Sequence, residues 1–265
     1  MIQLDSMSEN FQGRKRTFHY TTPKTDKADY VFGIQTVLET LQSEKEIDKI
    51  LIQRELGKTE IQELAEARGI FVQKVPMEKL NRITRKNHQG VIAFTSMVNY
   101  AKIDNIVAEK FEQGIDPFIL ILDRITDVRN FGAIARTAES AGVHAILIPS
   151  KGAAQINGDA MKTSSGALNH LPVCREERFE EAVKNLKESG LKIVSVTEKG
   201  TKFYHEESYE GPLAIIMGSE ENGISDSLQQ ISDARVKIPQ LGKIESLNVS
   251  VATGIVLYEA IKNYD

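Results

Sequence analysis

The sequence predicts two successive α/β units: a small mixed domain, then a mainly parallel sheet covered by helices on both faces. Three observations carry this reading. Five short runs rich in apolar residues in the second half (118–122, 145–148, 192–196, 213–217 and 235–238) alternate with helical stretches, the pattern of strands buried on both faces. The first half alternates helices and strands on a shorter rhythm. A chain of 265 residues is long for one core and comfortable for two.

Residues 1–29 are polar with little apolar periodicity, and a flexible arm is expected there. Residues 30–97 form the first unit. Tyr30-Val31-Phe32-Gly33 leads into a helix with Ile34, Val37, Leu38 and Leu41 on one face. A strand at Ile50-Leu51-Ile52, a helix from Thr59 to Arg68, an alternating strand Phe71–Val75 and a closing strand Val91–Phe94 follow. A polar, partly helical linker is expected over 98–116, and the parallel-sheet unit over 117–265.

Composition narrows the function classes. Hydrophobic residues at 41% and charged residues at 26% are ordinary for a soluble globular protein. No apolar run reaches the roughly 18 residues of a membrane span, and no basic-then-apolar leader opens the chain, so a cytoplasmic protein without a membrane partner is expected. The single cysteine, Cys174, excludes a disulfide framework and a cysteine-based zinc site. The net charge of −4 argues against an indiscriminate nucleic-acid binder. Local basic clusters at Arg14–Arg16 and at Arg82, Arg85 and Lys86 remain; on charge alone they read more readily as solvated surface.

Ligands of a parallel sheet gather beyond the carboxyl ends of its strands, and three such ends are rich in polar residues. After Leu122 comes a charged loop leading to a helix near Phe131, whose apolar positions are Phe131, Ile134, Ala135, Ala138 and Ala141, with Arg136 off that stripe. After Met217 comes Gly218-Ser219-Glu220-Glu221-Asn222-Gly223, where small residues let a ligand approach the backbone. After Ile238 a Pro- and Gly-containing loop reaches a final helix, with Ser246 expected as its N-cap and Leu247, Val251, Ile255 and Tyr258 expected to pack on the sheet. Neither a GxGxxG nor a GxxxxGK[ST] phosphate loop occurs. Taken singly, each loop also fits a plain capped turn.

Taken in order, the strings LDRITDVRNFGAIARTAESAG, LAIIMGSEENGIS and VKIPQLGKIESLNVSVATGIVLYEA resemble the three signature motifs of the SpoU (TrmH-type) RNA 2′-O-ribose methyltransferases of the SPOUT superclass. Thr163–Leu168 is similar to a serine-glycine segment between the first two, and Val128 departs from the proline usual there. Phe32-Gly33 and Asn87–Val91 resemble the ribosomal-protein-like substrate-binding domain of the branch that modifies large-subunit ribosomal RNA. The resemblance implies a C-terminal trefoil knot, which periodicity alone does not suggest. It also implies S-adenosylmethionine as cofactor, held by Met217, Gly218, Ile238, Leu247 and Asn248, and no metal. Asn130, Arg136, Glu220, Ser246 and Asn248 are the implied catalytic set, and Arg82, Arg85, Lys86, His88 and Arg136 the implied RNA contacts. A guanidinium almost never deprotonates, so Arg136 is expected to clamp the phosphate and the developing alkoxide more than to act as a base. The implied assembly is a homodimer through the knotted domain, and the implied substrate the ribose of a guanosine in large-subunit ribosomal RNA. A transfer-RNA enzyme and a catalytically silent ribosome-assembly factor are the alternatives.

Overall fold

The computed structural model describes residues 30–43, 45–57, 59–243 and 246–262, so the arm expected at 1–29 lies outside it. The first unit runs β1 (Tyr30–Phe32), α1 (Ile34–Gln42), β2 (Ile47–Gln53), α2 (Glu60–Ala67), β3 (Phe71–Val75), α3 (Met77–Ile83) and β4 (Val91–Thr95). Its sheet order is β1-β4-β2-β3, with β4 antiparallel to both neighbours and β2 parallel to β3. Helices α1 and α2 bury Val37, Leu41, Ile61 and Ala65 against one face. On the other face α3 brings Leu80 onto Leu51, Val75 and Ile92. Two elements escape the sequence pattern because they are short: β1 has three residues and α3 seven, too few to establish a period. In β2, Ile47 pairs with Thr95 and Lys49 with Phe94, so Asp48 is the extra residue of a β-bulge.

The second unit runs α4 (Ile103–Glu112), β5 (Phe118–Asp123), α5 (Val128–Ser140), β6 (Ala145–Pro149), α6 (Gly158–Thr163), β7 (Val173–Glu176), α7 (Phe179–Glu188), β8 (Lys192–Val196), β9 (Lys202–Phe203), β10 (Leu213–Gly218), α8 (Asp226–Ile231), β11 (Ala234–Lys237) and α9 (Val249–Ala260). The strands lie in the order β7-β6-β5-β10-β8-β11-β9, every described pair parallel. Alternation along β5 sends Phe118, Leu120 and Leu122 into a layer with α5 and α9, and Ile119 and Ile121 into a layer with α7 and α8. Helix α4 lies within the stretch 98–116 and buries Ile103 and Val107 in that second layer. Cys174 is sealed there too, and burial pushes its thiol up to about 12. No described helix is long and apolar enough to cross a membrane.

The final helix corrects two expectations. Its N-cap is Asn248, whose side chain accepts from the Ser250 amide, not Ser246, which stands two residues outside. Its sheet-facing residues are Val249, Thr253, Val256 and Leu257, whereas Leu247, Val251 and Tyr258 are exposed. Helix α9 is apolar nearly all round, so periodicity cannot tell which stripe is inside. The chain runs outward from β5 to β6 and β7, then resumes at β8 on the far side of β10. That reversal is the topological switch point, and the carboxyl ends of β5 and β10 lie beside it.

Candidate active site

Three segments meet at that point. Asp127 caps α5 by accepting the Asn130 amide at 2.7 Å, which starts the helix at Val128, earlier than Phe131, and sets Asn130 in its first turn. The cap thus uses the Asn130 backbone and leaves its side chain available. The Asn130 amide group donates to Glu220 Oε1 at 3.3 Å, and Asn248 Nδ2 donates to Glu220 Oε1 at 2.9 Å and to Asn130 Oδ1 at 3.0 Å. The Val249 amide, at the start of α9, adds a donor to Glu220 Oε1 at 3.1 Å. One carboxylate oxygen therefore gathers the loops after β5, β10 and β11.

The loop after β10 is held by its own backbone and by β5. A Cβ on Gly218 would lie 2.2 Å from the Gly223 carbonyl carbon, so only glycine fits there. Buried Asp123 accepts the Ser225 amide at 2.7 Å, and Arg124, at φ +59°, pairs with Asp123 and donates to the Gly223 carbonyl. Beside this loop lies a cavity of about 540 Å³, a size typical of small-molecule sites. Met217, Gly218, Ile238, Leu247 and Ser246 line it, as do Thr197, Glu198 and Lys199 from the end of β8. Asn248 caps the adjacent helix. A second cavity, of about 380 Å³, shares Glu220 with the first and adds Arg124, Thr126 and Asn130.

The SpoU rRNA Methylase family matches residues 117–258, and the RNA 2′-O ribose methyltransferase substrate-binding family matches residues 30–101. YacO of Bacillus subtilis (strain 168), whose name places it among TrmH family tRNA/rRNA methyltransferases, is 35% identical over 88% of this chain and 95% of its own length. The chain belongs to the SpoU/TrmH family of RNA 2′-O-ribose methyltransferases. Among solved structures, the AdoMet-bound rRNA methyltransferase of Sinorhizobium meliloti is 26% identical, with a TM-score of 0.56 over 89% of this chain and 87% of that one. AviRb of Streptomyces viridochromogenes, solved with AdoMet, shares the fold at a TM-score of 0.55 and 24% identity, over 88% of this chain and 89% of its own. The parallel-sheet unit accordingly has the SPOUT architecture with its C-terminal trefoil knot.

Not every implied residue joins the cluster of this methyltransferase. Arg136 lies six residues beyond Asn130 on α5, about 120° away around the helix; it is exposed, lines neither cavity and pairs with nothing among the described residues. His88 faces inward, 4% exposed, with Nε2 against Asn81 Oδ1 at 3.0 Å and Nδ1 accepting the Gly90 amide at 3.1 Å. It therefore shapes the turn before β4 and is not displayed to RNA, a correction to the set of contacts. Arg82, Arg85 and Lys86 are exposed as expected. The sequence reading missed Thr197, Glu198 and Lys199. They follow the carboxyl end of β8, so the rule that marked the other three loops would have found them.

Proposed function

We propose that this protein transfers a methyl group from S-adenosylmethionine to the ribose 2′-hydroxyl of a guanosine in large-subunit ribosomal RNA. The unit 30–97 would hold the RNA, 98–116 would join the units, and 117–265 would carry the reaction. The observation that carries the reading is the Asn130–Glu220–Asn248 network, built by three knot-region loops at the edge of the larger cavity.

The residues fit the methyl donor. The Gly218 cradle admits close approach to backbone groups. Val196, Met217, Ile238 and Leu247 offer an apolar wall for a flat base, and Glu198, Glu220 and Glu221 suit a cation. Bound there, S-adenosylmethionine supplies a methyl carbon made electrophilic by the adjacent sulfonium. The protein's part is to orient the hydroxyl in line and ease loss of its proton. Asn130, fixed at its carbonyl by Asn248, and Glu220 would hold the ribose, and Ser246, exposed on the cavity rim, would complete its hydrogen bonding. Arg136 would grip the adjacent phosphate and stabilise the developing alkoxide.

Two features support a homodimer through the knotted unit. Helix α9 carries a second apolar face with Val251 and Tyr258 exposed, and Arg136 stands away from the network of its own chain. A partner copy packed on α9 would cover the face and offer its Arg136 to the neighbouring site. Support for ribosomal RNA rests on the separate substrate-binding unit with Arg82, Arg85 and Lys86 exposed.

The test is transfer from labelled S-adenosylmethionine to unmodified large-subunit ribosomal RNA and transfer RNA, alongside Arg136→Ala. The expected product is an alkali-resistant 2′-O-methyl nucleotide in large-subunit RNA, with the variant slowed about 10²- to 10³-fold, the loss typical of removing a charge-stabilising donor. Labelling confined to transfer RNA would overturn the substrate, and an unimpaired variant would overturn the role of Arg136.

A further inference from the structure

We propose that Arg175 is a positioning residue for the methyl transfer: it locks the first unit onto the parallel-sheet unit, so that RNA held by the first meets the Asn130–Glu220–Asn248 network at one fixed spacing. The inference rests on the RNA reading above and adds to it a determinant of which nucleotide is modified.

The lock is built into the cleft between the units. Arg175 stands on β7, the edge strand of the seven-stranded sheet, and reaches the β-bulge of β2. A bulge disrupts its ladder locally, and Arg175 donates to the Ile47 and Asp48 carbonyls there at 2.9 and 3.2 Å. It also pairs with Asp48 Oδ1 at 3.2 Å and stacks 4.0 Å from the Tyr100 ring centroid. The Asp48 carboxyl accepts the Tyr100 hydroxyl as well and faces the Ile156 backbone N–H. The Arg175 and Asp48 side chains are only 12% and 7% exposed. A buried pair of this kind adds little net stability but penalises misalignment, because a small slide leaves a charge buried without its partner. Lys151, from the loop after β6, adds a second contact between the units, 5.4 Å over the Phe71 ring of β3.

The covalent connection offers no hinge. Residues 96–102 contain neither glycine nor proline, and both units hold them. The Ser96 amide donates to the Glu46 carbonyl of the first unit, and the Met97 and Ala101 amides donate to the Ile156 and Val173 carbonyls of the second. Tyr100, between these anchors, carries the hydroxyl that binds Asp48. With the tether pinned to both units, rotation between them must break the Arg175 contacts. The spacing matters because the cleft adjoins the reaction site: Gly152 and Thr126 line both its cavity of about 320 Å³ and the one containing Asn130 and Glu220. Misplacing a reacting group by about 1 Å costs on the order of 10²-fold in rate. RNA carried on a loosened unit would reach the network in several registers, none of them held.

The experiment compares Arg175→Met, Tyr100→Phe and a control, Leu80→Ala, with wild type. Tyr100→Phe keeps the ring beside Arg175 and removes only the hydroxyl, so it remains informative if Arg175→Met fails to fold. Leu80 packs within the first unit alone and does not line the cleft, so its truncation destabilises the protein without touching the lock. Spin labels on Glu66→Cys and Glu188→Cys, one exposed residue in each unit, report the spread of distances between the units; Cys174 is buried and stays unlabelled. Wild type and Leu80→Ala should each give one narrow distribution, and Arg175→Met and Tyr100→Phe a broad one. On RNA, kcat should fall about tenfold in Arg175→Met, with KM and S-adenosylmethionine affinity within about twofold, and the methyl label should spread to neighbouring nucleotides. A narrow distribution in both lock variants, or a broad one in wild type, would overturn the lock. Leu80→Ala matching Arg175→Met in kcat and in label spread would overturn the positioning role. Distances need no chemistry, so a narrow wild type that loosens in the lock variants yet methylates no RNA would sink the reaction proposed above and leave the lock standing.

Discussion

Glu220 and Asp48 each join segments remote in sequence, yet their surroundings are opposite. Glu220 Oε1 takes three N–H donors in an exposed loop. Asp48 is nearly sealed, with one oxygen paired to Tyr100 and Arg175 and the carboxyl also facing the Ile156 backbone N–H. Burial pushes its carboxyl pKa up, and the Tyr100 hydrogen bond, the charges of Arg175 and Lys49 and the Ile156 backbone N–H oppose that rise only in part. Arg175 also stacks 4.0 Å from the Tyr100 ring centroid, and burial and the Asp48 charge raise the Tyr100 pKa. The difference teaches that the number of donors does not set the cost of losing one. What sets it is whether water can take the donor's place.

Removing a partner on each side breaks the comparison most directly. Arg175→Met leaves Asp48 buried beside Tyr100 without its cation, and the expected loss is about 3–5 kcal/mol of stability, read as a lowered midpoint in thermal or urea unfolding. A midpoint within a degree or so of wild type would show that water enters the cleft freely. Glu220→Ala is the converse. Solvent replaces the lost acceptor, so stability should move by less than about 1 kcal/mol, while methyl transfer falls about 10²-fold as Asn130 and Asn248 lose their anchor. If the Ala variant unfolds early at full activity, the two carboxylates have each other's roles.

Most strands were legible because each is an apolar or alternating run bounded by turn residues: β3 matches its predicted span, and β4, β5, β6, β8 and β10 agree within a residue, whereas the short strands β1, β7 and β9 were not read. The meeting of Asn130, Glu220 and Asn248 was legible only through the resemblance, since they are 28 to 118 residues apart and no local period links them. The buried face of α9 was not legible, because apolar residues on every side leave the stripe ambiguous. Nor was His88, which the resemblance implied as an RNA contact; its burial follows from Asn81 and Gly90 closing on both ring nitrogens. Asp48 gave no sign in sequence. Its importance arises from a bulge and from Arg175, 127 residues later.

A third carboxylate sharpens the comparison on a smaller scale. The Glu207 side chain is also 7% exposed, but its two oxygens meet Lys192 at 2.7 Å and Lys202 at 3.0 Å, binding β8 to the edge strand β9. Burial raises its pKa, yet both lysine hydrogen bonds and charges outweigh it, and the net shift is downward from 4.5. Glu207 therefore stabilises the fold fully above pH 4.5 and loses that contribution as pH falls through its folded pKa. Asp48, raised from 3.8, has the opposite sign: its relative contribution is best below 3.8 and declines as pH rises through its folded pKa. The lysines are 30% and 55% exposed, so solvent screens the Glu207 pair, and Glu207→Gln should cost only about 1 kcal/mol at neutral pH. In paired unfolding curves that difference should shrink toward zero in acid, whereas Asp48→Asn compared with wild type should become relatively more costly in acid. A Glu207→Gln penalty that stays constant with pH would assign its contribution to packing against β8 and β9 in place of charge.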